Sequence, residues 1–181
     1  MTHRIFLTLG VALVLFGMYL TWQRTTPLRL SFRDLPKLSA PSANTPFPVV
    51  LTIPTAHITL PIVPATITTG QWQDTKRGVS YLSASAVPGD VGNSIMYGHN
   101  WPNLLGNLRL VKPGDRLTVL LSNGQRRGFT VAFLSVVTPD DTRILANSKD
   151  ARITLYTCTG FLDSKRLVVT AIADDPALSR K

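Results

Sequence analysis

The sequence predicts a mostly β domain that follows an N-terminal membrane anchor and a proline-rich linker. Beyond Pro48, short β-branched runs alternate with Gly, Pro and Asn, a pattern typical of strands and turns. No amphipathic pattern of about twelve residues occurs in this part of the chain, so long helices are not expected there. We therefore expect a sandwich or barrel of about 130 residues with one or two short helices.

Residues 1–24 are predicted to form a transmembrane anchor. Residues 5–22 carry no charge and would span about 27 Å as a helix, close to the roughly 30 Å of a hydrocarbon core. Tyr19 and Trp22 lie where interfacial aromatic residues occur. A cleaved signal peptide is the alternative, but residues 21–24 contain no small-x-small cleavage site.

The remaining chain divides by composition. Residues 25–48 contain five prolines and predict an extended linker, residues 49–175 predict the β domain, and residues 176–181 predict a short tail. The formal net charge is +9, but the basic residues are scattered and not interleaved with aromatic residues. This pattern favours a solvated surface or an anionic envelope polymer over a nucleic-acid partner. One cysteine rules out a disulfide framework and any Cys-rich metal site, and three histidines leave almost nothing for a His-based metal cluster. We therefore expect no metal and no cofactor.

Local signals define the elements of the β domain. Asn123-Gly124 predicts a hairpin turn, and residues 112–115 (Lys-Pro-Gly-Asp) predict a type II turn. Residues 138–141 (Thr-Pro-Asp-Asp) predict the start of a short helix, with Thr138 as its cap. Seven segments have the composition of strands: 49–53, 57–63, 94–97, 116–121, 129–137, 153–157 and 167–172.

Cys158 is the candidate nucleophile. It ends a strand-like run and precedes a loop that contains Gly160, which places it at the rim of a sheet. An isolated cysteine is commonly a small buried hydrophobe, but an exported chain normally avoids a single thiol unless the thiol has a function. Lys165 and Arg166 close the loop and bring positive charge toward Cys158.

A cysteine nucleophile needs a base or acid partner, and two histidines follow the anchor. His57 lies inside a strand-like run and is interpreted as a surface residue or as a satisfied residue of that strand. His99 follows Gly98 just beyond a predicted strand, where rigid scaffolds carry reactive groups. We therefore favour His99 as the partner of Cys158.

These residues resemble those of the sortases, the membrane-anchored cysteine transpeptidases of bacterial envelopes. Residues 154–158 (Thr-Leu-Tyr-Thr-Cys) are similar to the sortase signature TLxTC, and Arg166 begins a run similar to the strand that carries the family's arginine. His99 lies about sixty residues before the cysteine, as in sortases, and residues 107–115 resemble the stretch between the two. The resemblance covers roughly residues 49–173.

The resemblance implies an eight-stranded sortase β-barrel with Cys158, His99 and Arg166 at one end of a groove. It further implies cleavage of an LPxTG-like motif of a secreted protein through a thioester, and transfer of the acyl group to an amine. The acceptor would be a peptidoglycan precursor or a pilin-like protein. Cys158 would attack the carbonyl, His99 would transfer protons, and Arg166 would bind substrate and stabilise the oxyanion.

Two features bear on the type of sortase and on its topology. Seven residues separate Cys158 from Arg166, which resembles the compact loops of sortase classes D, E and F more than that of class A. The acidic calcium cluster of class A has no counterpart in the sequence.

Basic residues after the anchor would keep the domain in the cytoplasm by charge count. The family instead implies a single-pass protein with an extracellular catalytic domain, and we adopt that orientation.

Two alternatives remain open at this stage. The first is a membrane-tethered β domain without catalytic activity that binds envelope polymer or a partner protein, with Cys158 inert. The second is a plain cysteine peptidase, in which water replaces the amine. Alkylation of the thiol addresses the first alternative, and product analysis with and without an added amine addresses the second.

Overall fold

A computed structural model describes residues 2–24, 30–32, 45–68 and 71–174 of the chain. Most of the predicted linker and the whole predicted tail, residues 176–181, lie outside these residues. Helix α1 covers Thr2–Arg24. Its segment His3–Trp22 has a mean hydropathy of 2.0 and is not buried by the rest of the chain. Length and composition therefore make this helix a candidate membrane anchor.

Ten strands lie in the described part of the chain. They are β1 (Pro48–Ile53), β2 (Ile58–Ala65), β3 (Ile67–Thr68), β4 (Gln71–Trp72), β5 (Val79–Leu82), β6 (Gly92–Gly98), β7 (Arg116–Leu121), β8 (Arg126–Val137), β9 (Ala151–Thr159) and β10 (Lys165–Ala173). Short 3-10 helices lie between some of them, at Pro54–Ala56, Leu105–Leu110, Thr142–Leu145 and Phe161–Asp163.

Eight of these strands close into a barrel in the order β1-β2-β5-β6-β9-β10-β8-β7, and β3 and β4 form a separate two-stranded sheet. The pairs β2–β5 and β6–β9 are parallel, and the other neighbours are antiparallel. The predicted eight-stranded barrel is confirmed. All seven predicted segments overlap barrel strands, and the eighth strand, β5, is a four-residue segment that composition did not reveal.

The two predicted turns form as expected. Gly124 has φ 82° in the β7–β8 hairpin, where the Gly124 N–H donates to the carbonyl of Leu121. Gly114 has φ 92°, and the Asp115 N–H donates to the carbonyl of Lys112. Both conformations favour glycine because an added Cβ would be strained there.

Two local predictions are wrong. His57 is not in a strand: it has φ 53°, caps the 3-10 helix Pro54–Ala56 and is exposed before β2 begins. The helix predicted to start at Thr138 begins instead at Thr142, because Thr138 forms a turn in which its carbonyl accepts from the Asp141 N–H. In both places a local turn takes precedence over the sequence pattern.

The barrel strands bury side chains on two faces. Inside the barrel, a cluster includes Met96 of β6, Leu155 of β9 and Val169 of β10. The alternate residues of the same strands point outward and belong to a second buried cluster, which residues from other segments complete. Its members are Leu30, Phe32, Ala65, Trp72, Leu82, Ile95, Tyr97, Leu145, Tyr156, Cys158 and Val168. Both faces of β6 and β9, which pair in parallel, are therefore buried, and the two strands also carry buried polar residues such as Ser94, Thr154 and Thr157.

Candidate active site

Strand register brings the three predicted site residues to one end of the barrel. Cys158 on β9 lies directly opposite Arg166 on β10. On the other side of β9, Gly98 of β6 pairs with Thr157, so His99 follows next to the cysteine. Directly opposite residues of an antiparallel pair share a face of the sheet, here the outer face. The Thr157 hydroxyl donates to the Gly98 carbonyl at 2.7 Å and fixes this junction.

The guanidinium group of Arg166 is buried and donates to backbone carbonyls. Its side chain is only 2% exposed. Nη1 donates to the carbonyls of Asp163 and Lys165, both at 3.0 Å, and Nη2 donates to the carbonyl of Ser31 at 3.4 Å. Its Nε finds no hydrogen-bond acceptor among the described residues. Because buried N–H groups are normally satisfied, this donor is suited to bind a further oxygen.

His99 is held by two residues that the sequence analysis missed. Its Nε2 lies 2.7 Å from Oδ2 of Asp74, an ion-pair contact when the ring is protonated, although the two atoms are not aligned as a hydrogen bond. The ring of Trp101 stacks on the imidazole with 4.4 Å between centroids and 10° between planes. His99 is 4% exposed, so both contacts act on a ring that is shielded from water.

An aromatic floor extends away from Cys158 along the outer face. Tyr97 and Tyr156 stack on neighbouring strands at 5.5 Å, and the indole of Trp72 meets Tyr97 edge-on at 5.1 Å. Tyr97 lies two residues before His99, and Tyr156 lies two residues before Cys158. We call the surface lined by Trp72, Tyr97 and Tyr156, and ending at Cys158, the outer-face groove.

A short segment from the N-terminal part of the chain fills the outer-face groove. Residues 30–32 (Leu-Ser-Phe) follow α1 after five residues, and Leu30 and Phe32 are 0% and 2% exposed. The Tyr156 hydroxyl donates to the Leu30 carbonyl at 3.0 Å, and the Phe32 ring meets Tyr156 edge-on at 5.1 Å. Cys158, in the same cluster, is 5% exposed.

The loop between Cys158 and Arg166 has an unusual backbone. Gly160 has φ 79°, and Leu162 and Asp163 have φ 50° and 60°, in the left-handed region that favours glycine. Residues in such conformations persist only where the surrounding structure holds them, and they occur often at functional sites. Asp163 accepts from the Asn100 amide at 3.2 Å, which ties this loop to the residue after His99.

Part of this site could have been found from the sequence. Tyr97 and Tyr156 precede the predicted His99 and Cys158 by two residues, and period-two alternation places them on the same face. Asp74 and Trp101 lie in irregular segments with no motif that marks them. Residues 30–32 contact the barrel from a distant part of the sequence, so local sequence patterns could not predict this contact.

Burial changes the pKa values of the two tyrosines that line the outer-face groove. It raises the pKa values of Tyr97 and Tyr156 above the usual range, and the nearby Asp74 carboxylate adds to the effect at Tyr97. Burial also raises the pKa of Tyr81, inside the barrel, to about 12. These hydroxyls therefore remain hydrogen-bond donors, as in the bond from Tyr97 to the Gln73 carbonyl.

Comparisons with known proteins agree with this architecture. A family model described as the sortase domain matches residues 51–174. A lid mutant of sortase A from Corynebacterium diphtheriae is 31% identical, with a TM-score of 0.62, over 75% of this chain and 74% of that one. Streptococcus agalactiae sortase C1, in a complex with MTSET, is 25% identical with a TM-score of 0.60, over 70% of this chain and 66% of that one. No curated protein sequence matches the chain.

The fold is that of cysteine transpeptidases built on an eight-stranded barrel. With a family match over residues 51–174 and a similar structure above 30% identity, the chain belongs to the sortase family. The similar structures named above are sortases of types A and C. They do not confirm the predicted likeness to classes D, E and F, which stays a prediction.

We expect the three barrel tyrosines, Tyr81, Tyr97 and Tyr156, to remain protonated in the folded protein to about pH 11, above the usual phenol value near 10. Each has a higher pKa when folded than when unfolded. Their contribution to the free energy of unfolding is therefore complete below about pH 10 and is lost as the pH rises further. Tyrosinate absorbance with circular dichroism in parallel tests this. Tyrosinate from all three below pH 11, with the fold intact, would contradict it.

Proposed function

We propose that this chain is a sortase-type cysteine transpeptidase that cleaves an LPxTG-like sorting motif and transfers the acyl group to an amine. The register that sets Cys158 opposite Arg166, with His99 beside them, carries the proposal. It is a juxtaposition of nucleophile, cation and proton carrier on one face of a sortase barrel. The secreted protein that bears the motif is the acyl donor.

In the first half of the proposed reaction, Cys158 Sγ attacks the carbonyl of the motif's fourth residue. The thiol proton passes to His99, and the carbonyl oxygen becomes an oxyanion that Arg166 stabilises. Collapse of this intermediate breaks the peptide bond, and His99 returns its proton to the departing amine. A thioester to Cys158 remains.

In the second half, an acceptor amine replaces the departed one. His99 takes a proton from the amine, whose nitrogen attacks the thioester carbonyl, and Arg166 again stabilises the oxyanion. The thiolate of Cys158 leaves and is reprotonated by His99. The product is a new amide bond between the sorted protein and the acceptor.

Arg166 is suited to the oxyanion role by its geometry. Three backbone carbonyls fix its guanidinium, and its Nε has no acceptor among the described residues. A planar group with several fixed donors binds an oxyanion with less reorganisation than a flexible ammonium group does. Arg166 Nε could therefore donate to a substrate oxygen without a movement of the guanidinium group.

Asp74 is proposed as the residue that positions His99. A carboxylate 2.7 Å from Nε2 stabilises the positive charge that the ring acquires when it holds the thiol proton. Nδ1 is then left to exchange protons with Cys158 and the amines. Stacking on Trp101 fixes the plane of the ring.

The proposed topology follows from the chemistry of the acceptor. Residues 5–22 of α1 anchor the chain in the cell membrane in a single pass, and the catalytic domain, residues 49–175, lies outside. The exported substrate and the acceptor, a peptidoglycan precursor or a pilin-like protein, are both found on that side. The net charge of +9 suits a surface rich in anionic polymer.

Cys158→Ala should abolish both cleavage and transfer, because it removes the nucleophile and changes little volume. Full-length protein in detergent is incubated with a fluorogenic sorting-motif peptide, with and without an added amine, and the products are identified by mass spectrometry. The wild type should give an amide product with the amine. If only hydrolysis occurs in the presence of the amine, the protein is a peptidase. If a folded Cys158→Ala variant retains more than a few per cent of the activity, Cys158 is not the nucleophile.

His99→Ala should lower kcat/KM about 10²-fold or more, the usual contribution of positioned proton transfer. Asp74→Asn should lower kcat/KM by less than His99→Ala does, mainly through kcat, because the Asp74 carboxylate acts through the His99 ring. Asp74→Glu keeps a carboxylate and should recover part of this loss. His57→Ala is the matched control and should match the wild type, since His57 is exposed outside the site. A larger loss for His57→Ala than for His99→Ala would contradict this assignment.

Arg166→Lys should lower turnover by on the order of 10²-fold although it keeps the charge, the scale of one lost oxyanion donor. Lys165→Ala should lose less than about tenfold, because Lys165 is exposed and its charge is screened by salt. Steady-state kinetics on the same peptide measure both. A nearly wild-type Arg166→Lys would mean that the arginine supplies only charge.

A further inference from the structure

Asp163 joins the two loops that carry the proposed catalytic groups on either side of Cys158. Its carboxylate accepts a hydrogen bond from Asn100, which follows His99, and its main-chain carbonyl accepts one from Arg166. We propose that Asp163 is a positioning residue that holds the guanidinium of Arg166 in place relative to the histidine. The catalytic roles of His99 and Arg166 rest on the proposed function, whereas the link between the two loops rests on contacts alone.

The main chain of Asp163 helps to hold one end of the Arg166 side chain. Nη1 of the arginine donates to the carbonyls of Asp163 and Lys165, both at 3.0 Å. Because a hydrogen bond weakens as it departs from linear geometry, the direction of each carbonyl sets where the guanidinium lies. The path of residues 160–165 therefore decides the position of the group that is proposed to stabilise the oxyanion.

This loop keeps a conformation that its residues do not favour. Leu162 and Asp163 have φ 50° and 60°, in the left-handed region, where aspartate is tolerated and leucine is rare. Phe161 and Leu162 are 85% and 43% exposed, so burial of their apolar side chains contributes little to holding the loop. A strained backbone persists only when the surrounding structure determines it. Contacts from outside the loop are therefore needed to keep its path.

Asn100 supplies such a contact from a closely packed turn. Its Nδ2 donates to Asp163 Oδ1 at 3.2 Å. The chain next to Asn100 is fixed by its own main chain, since the Gly106 N–H donates to the Trp101 carbonyl at 2.9 Å. A Cβ atom added at Gly106 would lie only 2.8 Å from the Asn100 carbonyl oxygen, so this turn has little room to move. The bond therefore ties the strained loop to a well-fixed one.

Loss of the Asn100–Asp163 bond should affect the reaction through Arg166. Oxyanion stabilisation is an interaction of the transition state, so a displaced guanidinium lowers kcat more than it raises KM. When Arg166 is replaced by lysine, the bond has no guanidinium left to position. Asp163→Gly should therefore change kcat by less than about twofold in an Arg166→Lys background, because coupled residues are not additive. A further fivefold loss there would mean that Asp163 acts independently of Arg166 and would contradict the proposal.

Asp163→Gly removes the carboxylate and keeps a residue that readily adopts positive φ. In full-length protein in detergent, it should lower kcat on a sorting-motif peptide about fivefold, the scale of one lost hydrogen bond, with KM within about twofold. Asp163→Asn keeps an oxygen acceptor and should recover most of this loss. Leu162→Gly is the matched control, because it gives the adjacent position the same backbone freedom and removes no side-chain hydrogen bond. Its kcat should match the wild type.

Asn100→Ala tests the other end of the bond. It should lower kcat by a similar factor, and the double variant Asn100→Ala/Asp163→Gly should lose no more than either single variant, because both changes remove the same interaction. Losses that multiply in the double variant would overturn the proposal, as would a wild-type kcat in either single variant. An equal loss in Leu162→Gly would assign the effect to flexibility of the loop and would also overturn it.

Hydrogen exchange separates this inference from the proposed function. Amide exchange in a proteolytic peptide that covers residues 159–166, measured by mass spectrometry, reports on the loop and needs no substrate. Asn100→Ala leaves that peptide unchanged and should speed the exchange of its hydrogen-bonded amides about fivefold. Faster exchange with no transfer activity in any variant would uphold the tie between the loops and remove the proposed reaction. Transfer activity with unchanged exchange and unchanged kcat would do the reverse.

Discussion

The pairing of β9 with both β10 and β6 is the constraint on which the rest of the site depends. It sets Cys158 opposite Arg166 on one side and the end of β6, with His99, on the other. Side chains alternate between faces, so a shift of one residue would turn the cysteine into the barrel interior and Leu155 outward. The interior cluster opposes that shift, because Leu155 and Val169 are fully buried in it. Core packing therefore fixes the relative positions of Cys158, Arg166 and the end of β6.

The same pairing explains the composition of the two central strands. Since β6 and β9 are buried on both faces, neither has a solvent-facing row of polar residues. Their outward positions carry Tyr97 and Tyr156, large residues with a polar end. Such residues fill an apolar groove and can still donate to a peptide backbone. The floor of the site and the core of the barrel are thus opposite faces of the same strands.

Strong local signals made most of the fold predictable. Gly124, in the Asn-Gly turn, and Gly114 both adopt positive φ, and β-branched runs between such turns indicated seven of the eight barrel strands. The strand β5 was missed because four residues carry too little periodicity. His57 was misassigned because its left-handed conformation ends a 3-10 helix within an otherwise β-like run. The sequence favoured His99 over His57, and the structure brings His99 to the end of β6 beside the Cys158 strand.

The contacts that sequence reasoning could not supply are those between segments far apart in the chain. Asp74 reaches His99 from the irregular segment after β4, and Trp101 stacks on it from the following loop. Neither residue belongs to a repeating pattern, so only the closed barrel reveals their proximity. Residues 30–32 were expected in a proline-rich linker, and their burial depends on the aromatic floor that β6 and β9 build together.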